Sequence, residues 1–121
     1  MIFVFGSNEA GRHGKGAALA ARKRWGAVHG QGFGLQGRSF AIPTKDFHLQ
    51  HLPLEIIAGY VREFIKFVEQ NPDKIFCITA IGTGLAGHCH KDIAPMFDSI
   101  KGFSNCFFPV EWKPILEEED E

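Results

Sequence analysis

Two short apolar runs in this chain each end in a glycine-rich loop that opens into a helical pattern, and no other feature constrains the fold as much. The first is Ile2-Phe3-Val4-Phe5-Gly6-Ser7-Asn8, followed by Gly11-Arg12-His13-Gly14-Lys15-Gly16 and the small-residue run Ala17-Ala18-Leu19-Ala20-Ala21. The second is Ile75-Phe76-Cys77-Ile78-Thr79-Ala80-Ile81, continued by Gly82-Thr83-Gly84-Leu85-Ala86-Gly87. Unbroken hydrophobicity bounded by glycine marks strands buried on both faces, which need helices above and below them. Glycine has no Cβ, so its backbone can approach a ligand closely and turn N–H groups toward it. One such loop marks an anion site. Two on one sheet predict a ligand with more than one phosphate, gripped from both sides.

The rest of the chain fits that frame. Gly14 to Trp25 reads as a helix closed by Gly26, and the glycine-dense residues 27–38 as a turn or short hairpin. Arg38 to Pro43 reads as a strand with Phe40 and Ile42 on one face, and Thr44 to Pro53, with His48 and His51, as a loop. Leu54, Ile57, Ala58, Val61, Phe64, Ile65 and Val68 recur at helical spacing, predicting a helix through Gln70. Ile93 to Lys101 is predicted as a helix with Asp92 as its N-cap, and Cys106 to Val110 as the last strand. Strands alternating with helices imply an α/β fold: right-handed crossovers, a mostly parallel central sheet and helices on both faces. Residues 1–113 are expected to form one domain and residues 114–121 an acidic tail, with Glu117 to Glu121 disordered. Ligands of such sheets bind beyond the carboxyl ends of the strands, so both glycine loops should face one crevice.

Composition excludes several classes. A net charge of −1 gives no general attraction to nucleic acid or to a membrane surface. A nucleic-acid module would rest only on Arg12, Arg22, Lys23, Arg24 and Arg38, without interleaved aromatics, and is disfavoured. Three cysteines without CxxC spacing argue against a disulfide scaffold. With no signal-peptide pattern and no bilayer-length apolar stretch, the expected location is cytoplasmic.

The loops limit the ligand further. Gly14-Lys15-Gly16-Ala17 opens a helix with no Ser, Thr, Asp or Asn at the cap position. Its first N–H groups are therefore free for a phosphate at the positive end of the helix dipole. The spacing is neither the dinucleotide fingerprint nor the P-loop, since Lys15 precedes its glycine and no Ser or Thr follows. In the second loop, consecutive N–H groups and Thr83 offer a nest for a second phosphate or its ribose. His13 and His88 are candidates for proton transfer if the loops converge. His88-Cys89-His90 has weak spacing for zinc, and no metal is expected. Phe33 and Phe47 are free of the expected core and could stack on a base.

Taken in order, Val4-Phe5-Gly6-Ser7-Asn8, Gly14-Lys15-Gly16-Ala17-Ala18-Leu19, the basic helix end with Trp25-Gly26, Ala41-Ile42-Pro43-Thr44-Lys45 and Ile81-Gly82-Thr83-Gly84-Leu85-Ala86-Gly87 resemble the macro domain. The similarity runs from Met1 to about Val110. It is greatest to compact phage or bacterial forms in the branch of the terminal ADP-ribose protein glycohydrolase and of proteins processing ADP-ribose-1″-phosphate. The resemblance implies a three-layer macro-like fold with a cleft for ADP-ribose. Gly6, Ser7, Asn8, Gly14, Lys15, Gly16, Ala17 and Thr44 would line one side, and Gly82, Thr83, Gly84, Leu85, Ala86 and Gly87 the other. It also implies a lysine nucleophile at Lys45, assisted by an acidic residue just after Gly-Leu, where this chain has Ala86. Hydrolysis of an ADP-ribosyl linkage or of ADP-ribose-1″-phosphate is the leading expectation, with an ADP-ribosylated protein as a possible partner and no cofactor. A reader or sequestering protein that binds an NAD-derived nucleotide without turnover is the competing class.

Overall fold

The computed structural model describes residues 1–84 and 87–117; Leu85, Ala86 and the acidic residues 118–121 lie outside them. The strands are β1 (Ile2–Asn8), β2 (Gly34–Gln36), β3 (Ser39–Lys45), β4 (Phe76–Ile78) and β5 (Cys106–Phe107). The helices are α1 (Gly16–Arg24), α2 (Leu54–Gln70), α3 (His90–Ile93) and α4 (Lys113–Leu116), with 3₁₀ turns at Ala94–Ile100 and Val110–Trp112. The strands form one mixed sheet in the order β2-β3-β1-β4-β5. Every pairing is parallel except β2 with β3.

Alternation along β1 explains why the sheet is covered twice. Ile2 and Val4 point to one side, where they join Phe40, Ile42, Phe76 and Ile78 beneath α2. Ile57, Val61, Phe64 and Val68 form the fully buried stripe of that helix. Each such side chain contributes about 1.5–3 kcal/mol by leaving water. Phe97, Ile100 and Trp112 complete this large core. On the other side Phe5 packs with Ala18, Ala21, Ala27 and Ala41, with Phe3 and the His13 ring beside them. The alanine-rich α1 can lie close to β1 because it carries no bulk on that face. The second core is thin.

Crossovers place the crevice. β1 connects through α1 to β3 on one side, and β3 connects through α2 to β4 on the other side of β1. The strand order therefore reverses between β1 and β4, the point at which open α/β sheets form a ligand crevice.

Several boundaries differ from expectation. The helix predicted from Gly14 starts at Gly16, and Gly26 sits in the left-handed region (φ 79°) just past its end, as expected of a closing glycine. The glycine-dense segment contains β2, a short antiparallel edge strand. β4 stops at Ile78 rather than Ile81, because the Ile81 N–H turns back to the Thr79 carbonyl (2.8 Å) and leaves the ladder. The predicted helix at Ile93–Lys101 starts earlier, at His90, and then tightens into a 3₁₀ run. Cys89, not Asp92, holds its N-cap position, and Asp92 lies in the first turn. The closing strand ends at Phe107, and Pro109 leads into the second 3₁₀ turn. Leu116 is buried, so the packed core runs on past Lys113. No helix among the described residues is long and apolar enough to cross a membrane.

Candidate functional site

At the carboxyl ends of β1, β3 and β4 lies a cleft of about 480 Å³. β1 contributes Gly6, β3 contributes Thr44 and Lys45, and the first turn of α1 contributes Lys15, Gly16, Ala17 and Ala18. The opposite wall is Thr79, Ala80, Ile81, Gly82 and Gly84. The two glycine loops thus converge on one space. Its size lies within the range of small-molecule sites.

The α1 side of the cleft is an uncapped helix start. Lys15 occupies the N-cap position, extended and without a side-chain hydrogen bond, and no acidic residue lies in the first turn. The amides of that turn are therefore left for water or an anion. Gly16 adopts φ 54°, a left-handed conformation that a larger side chain would strain, and a Cβ there would meet open space. The glycine serves the backbone turn rather than a tight contact.

On the other wall, Gly82 (φ 73°) passes within 3.4 Å of Thr44, measured from where a Cβ would stand. The loop then closes on itself, since the Gly87 N–H bonds the Gly84 carbonyl (2.6 Å) and the His88 N–H the Gly82 carbonyl (2.8 Å). Thr83 donates its hydroxyl to the Ala80 carbonyl at 2.7 Å, so it braces the loop rather than facing the cleft. Among these expected ligand residues, Leu85 and Ala86 lie outside the described residues.

Ser7, Asn8 and Gly14 also shape the site without lining it. Ser7 is buried and donates to the Gly32 carbonyl. The Asn8 amide donates to the Arg12 carbonyl and accepts the Arg12 N–H, both at 2.9 Å, which fixes the path of the loop toward α1. Gly14 is exposed ahead of the helix.

The proton-transfer candidates part company. Lys45 lines the cleft at the end of β3. His13 does not: it is fully buried on the α1 side of the sheet, edge-on to Phe5 at 5.3 Å. Its Nε2 donates to the Gln31 carbonyl (3.0 Å), and its Nδ1 has no partner among the described residues. It anchors the first loop to the glycine-rich segment, a role helped by its own N–H donating to His29 Nδ1. His88 also misses the cleft lining, because its Nε2 donates to the Leu52 carbonyl at 2.8 Å. The sequence placed both in loops near a glycine. It gave no sign that carbonyls at Gln31 and Leu52 would claim them.

The structure adds His51, which lines the cleft and bridges Lys45 in antiparallel fashion. Asp46 brings it there. Its carboxylate accepts the N–H groups of His48 (2.8 Å) and Gln50 (3.0 Å), reversing the chain within five residues. The Gln50 amide, with that of His48, holds the Asp46 carboxyl below its ordinary range. An Asp opening a polar loop was the available signal.

Neither aromatic candidate lines the cleft. Phe33 is engaged by Phe40 (5.5 Å) and Tyr60 (5.4 Å), whereas Phe47 stands 64% exposed. Behind Phe33 the Tyr60 hydroxyl donates to Glu9 Oε2 at 2.6 Å, tying α2 to the end of β1. The bond to Glu9, followed by burial, pushes the Tyr60 hydroxyl up to about 12. A folded-state value above the ordinary 10 means that this tie contributes fully below pH 10. The contribution is lost as pH rises toward 12. Tyr60 is the chain's single tyrosine, so tyrosinate absorbance reads it alone. The titration midpoint should lie near 12 and fall back toward 10 in Glu9→Gln; an unchanged midpoint would disprove the role of the carboxylate.

Among the described residues no group of three or more His, Cys, Asp or Glu is arranged to hold a metal ion. Compared with known proteins, the chain matches no family model, no curated sequence and no solved structure.

Proposed function

We propose that this protein binds ADP-ribose or a close derivative in the cleft between the two glycine loops. The observation that carries the reading is the pairing of an uncapped α1 first turn with a second glycine loop across one space, with Lys15 and Lys45 as its cations. A diphosphate at the α1 amides would satisfy donors that no side chain satisfies. The macro-domain resemblance supplies the rest of the ligand: a ribose with its anomeric carbon toward Lys45.

The hydrolytic form of the reading rests on Lys45, acting on an ADP-ribosyl linkage or on ADP-ribose-1″-phosphate. A specific observation favours the second form, a reader without turnover. Of the three side chains expected to do chemistry, His13 is buried behind the sheet and His88 is held by a backbone carbonyl. Calorimetry with ADP-ribose tests the binding, and incubation with ADP-ribose-1″-phosphate and with ADP-ribosylated protein tests the chemistry. Saturable binding is expected, and none at millimolar ligand would sink the proposal. Turnover abolished in Lys45→Ala selects the hydrolase. Binding with no turnover, unchanged in that variant, selects the reader.

A further inference from the structure

The net charge of −1 conceals a strong segregation. Residues 10–45 contain seven of the thirteen Lys and Arg residues and none of the fourteen Asp and Glu residues. In the fold the cations of this segment fall around α1 and at the cleft. Arg12 and Lys15 precede the first turn of α1, and Lys45 joins Lys15 at the cleft. Arg22, Lys23 and Arg24 are exposed in its last turn. Arg38 arrives there from the start of β3. Its guanidinium donates to the Arg24 carbonyl (3.2 Å) and lies over the Trp25 ring (5.2 Å from its centre).

Of the exposed carboxylates among the described residues, Glu55, Glu63, Glu69, Asp92, Asp98 and Glu111 sit on elements packed against the opposite face, and Asp73 and Glu117 lie in turns that follow such elements. Both ion pairs among the described residues, Lys66 with Glu63 and Lys101 with Asp98, are on that side too. A basic last turn alone is accounted for by the helix dipole. The dipole does not explain cations at both ends of α1, a further arginine delivered from the start of β3, or the absence of any acid between Glu9 and Asp46.

We propose that the α1 face binds the phosphodiester backbone of a nucleic acid, without reading its sequence. α1 has nine residues and is therefore about 13 Å long, with cations at both ends. Phosphates of one strand repeat about every 3.4 Å along a duplex axis, so about four fall within that span. Trp25 is stacked on Phe3 at 5.4 Å and capped by Arg38, which leaves no free aromatic platform for bases. Recognition is therefore electrostatic. Lys15 also lines the cleft, so the inference rests on Arg22, Lys23, Arg24 and Arg38, which lie outside the cleft lining.

Fluorescence anisotropy tests it, with one labelled oligonucleotide sequence as single-stranded DNA, as RNA and as duplex DNA. Binding should weaken about a hundredfold between about 50 and 200 mM salt, as expected for about four neutralised phosphates. The triple variant Arg22→Gln/Lys23→Gln/Arg24→Gln keeps good helix formers and should lose about tenfold or more at the lower salt, with a shallower salt dependence. Lys66→Gln/Lys101→Gln, on the opposite face, should bind like the parent. The three probes tell whether single strands or duplexes are preferred, and binding to any of them that the triple variant loses supports the proposal. It is overturned by no binding at low salt, by equal loss in both variants, or by an unaffected triple variant with unchanged circular dichroism. A dimer that the triple variant dissociates, with no oligonucleotide bound, would also overturn it and assign the face to a second copy of the chain. ADP-ribose calorimetry on the triple variant keeps the two sites apart: loss there bears on the cleft and not on this face.

Discussion

Ala17→Glu should lower affinity for ADP-ribose by about a hundredfold or more, ~2.8 kcal/mol, while leaving the protein folded. Ala17 is exposed, lines the cleft and occupies the second position of α1. A carboxylate there is compatible with the helix, and the dipole favours it by about 0.3–1 kcal/mol. The melting temperature should therefore stay level or rise. The same charge would occupy the place of the diphosphate, where like-charge juxtaposition costs several kcal/mol. Stability and affinity move in opposite directions, which a general disruption would not produce. Gly16→Glu is a poorer probe, because at φ 54° any side chain strains the backbone. Calorimetry and thermal unfolding of the variant decide the matter, and unchanged affinity would remove the phosphate from the α1 first turn.

Trp112→Ala should cost about 3–5 kcal/mol, a large part of the stability of a domain this size. Trp112 is fully buried, packs on Phe97 at 5.2 Å and donates its indole N–H to His90 Nδ1 at 2.9 Å. Truncation opens a cavity in the larger core and removes the donor that His90 accepts. Since urea slopes for small proteins are about 1–3 kcal/mol per molar, the midpoint should fall by more than about 1 M. Trp112→Phe separates the two contributions. It keeps most of the apolar volume and loses the hydrogen bond, so its cost should be nearer about 1 kcal/mol. Equal midpoints for the parent and Trp112→Ala would show that the C-terminal turn does not belong to the cooperative core.

The layered α/β order was legible because it rests on local patterns. Continuous apolar runs marked β1 and β4, a helical stripe marked α2, and Gly26 marked the end of α1. The convergence of the two loops followed from topology, since both leave parallel strands at their carboxyl ends. What escaped the sequence depends on partners distant in the chain. His13 looks like a loop histidine until Gln31 and Phe5 enclose it. His51 looks like a spectator until Asp46 folds its loop back onto Lys45. β2 is only three residues long and glycine-led, so no alternation announced it. The charge segregation could be read from the chain, but net charge averaged it away. Only the placement of α1 opposite every acidic helix gives it a surface.

The unequal cores on the two sides of the sheet have a further consequence. α1 is docked by alanines, so it removes little apolar surface from water compared with α2. It has less to lose than α2 by opening locally, and its first turn is also the wall where we propose that an anion binds. A ligand bound there stabilises only the docked form, and its binding energy adds to a small packing energy rather than a large one. Occupancy of the cleft and the firmness of α1 thus become a single equilibrium.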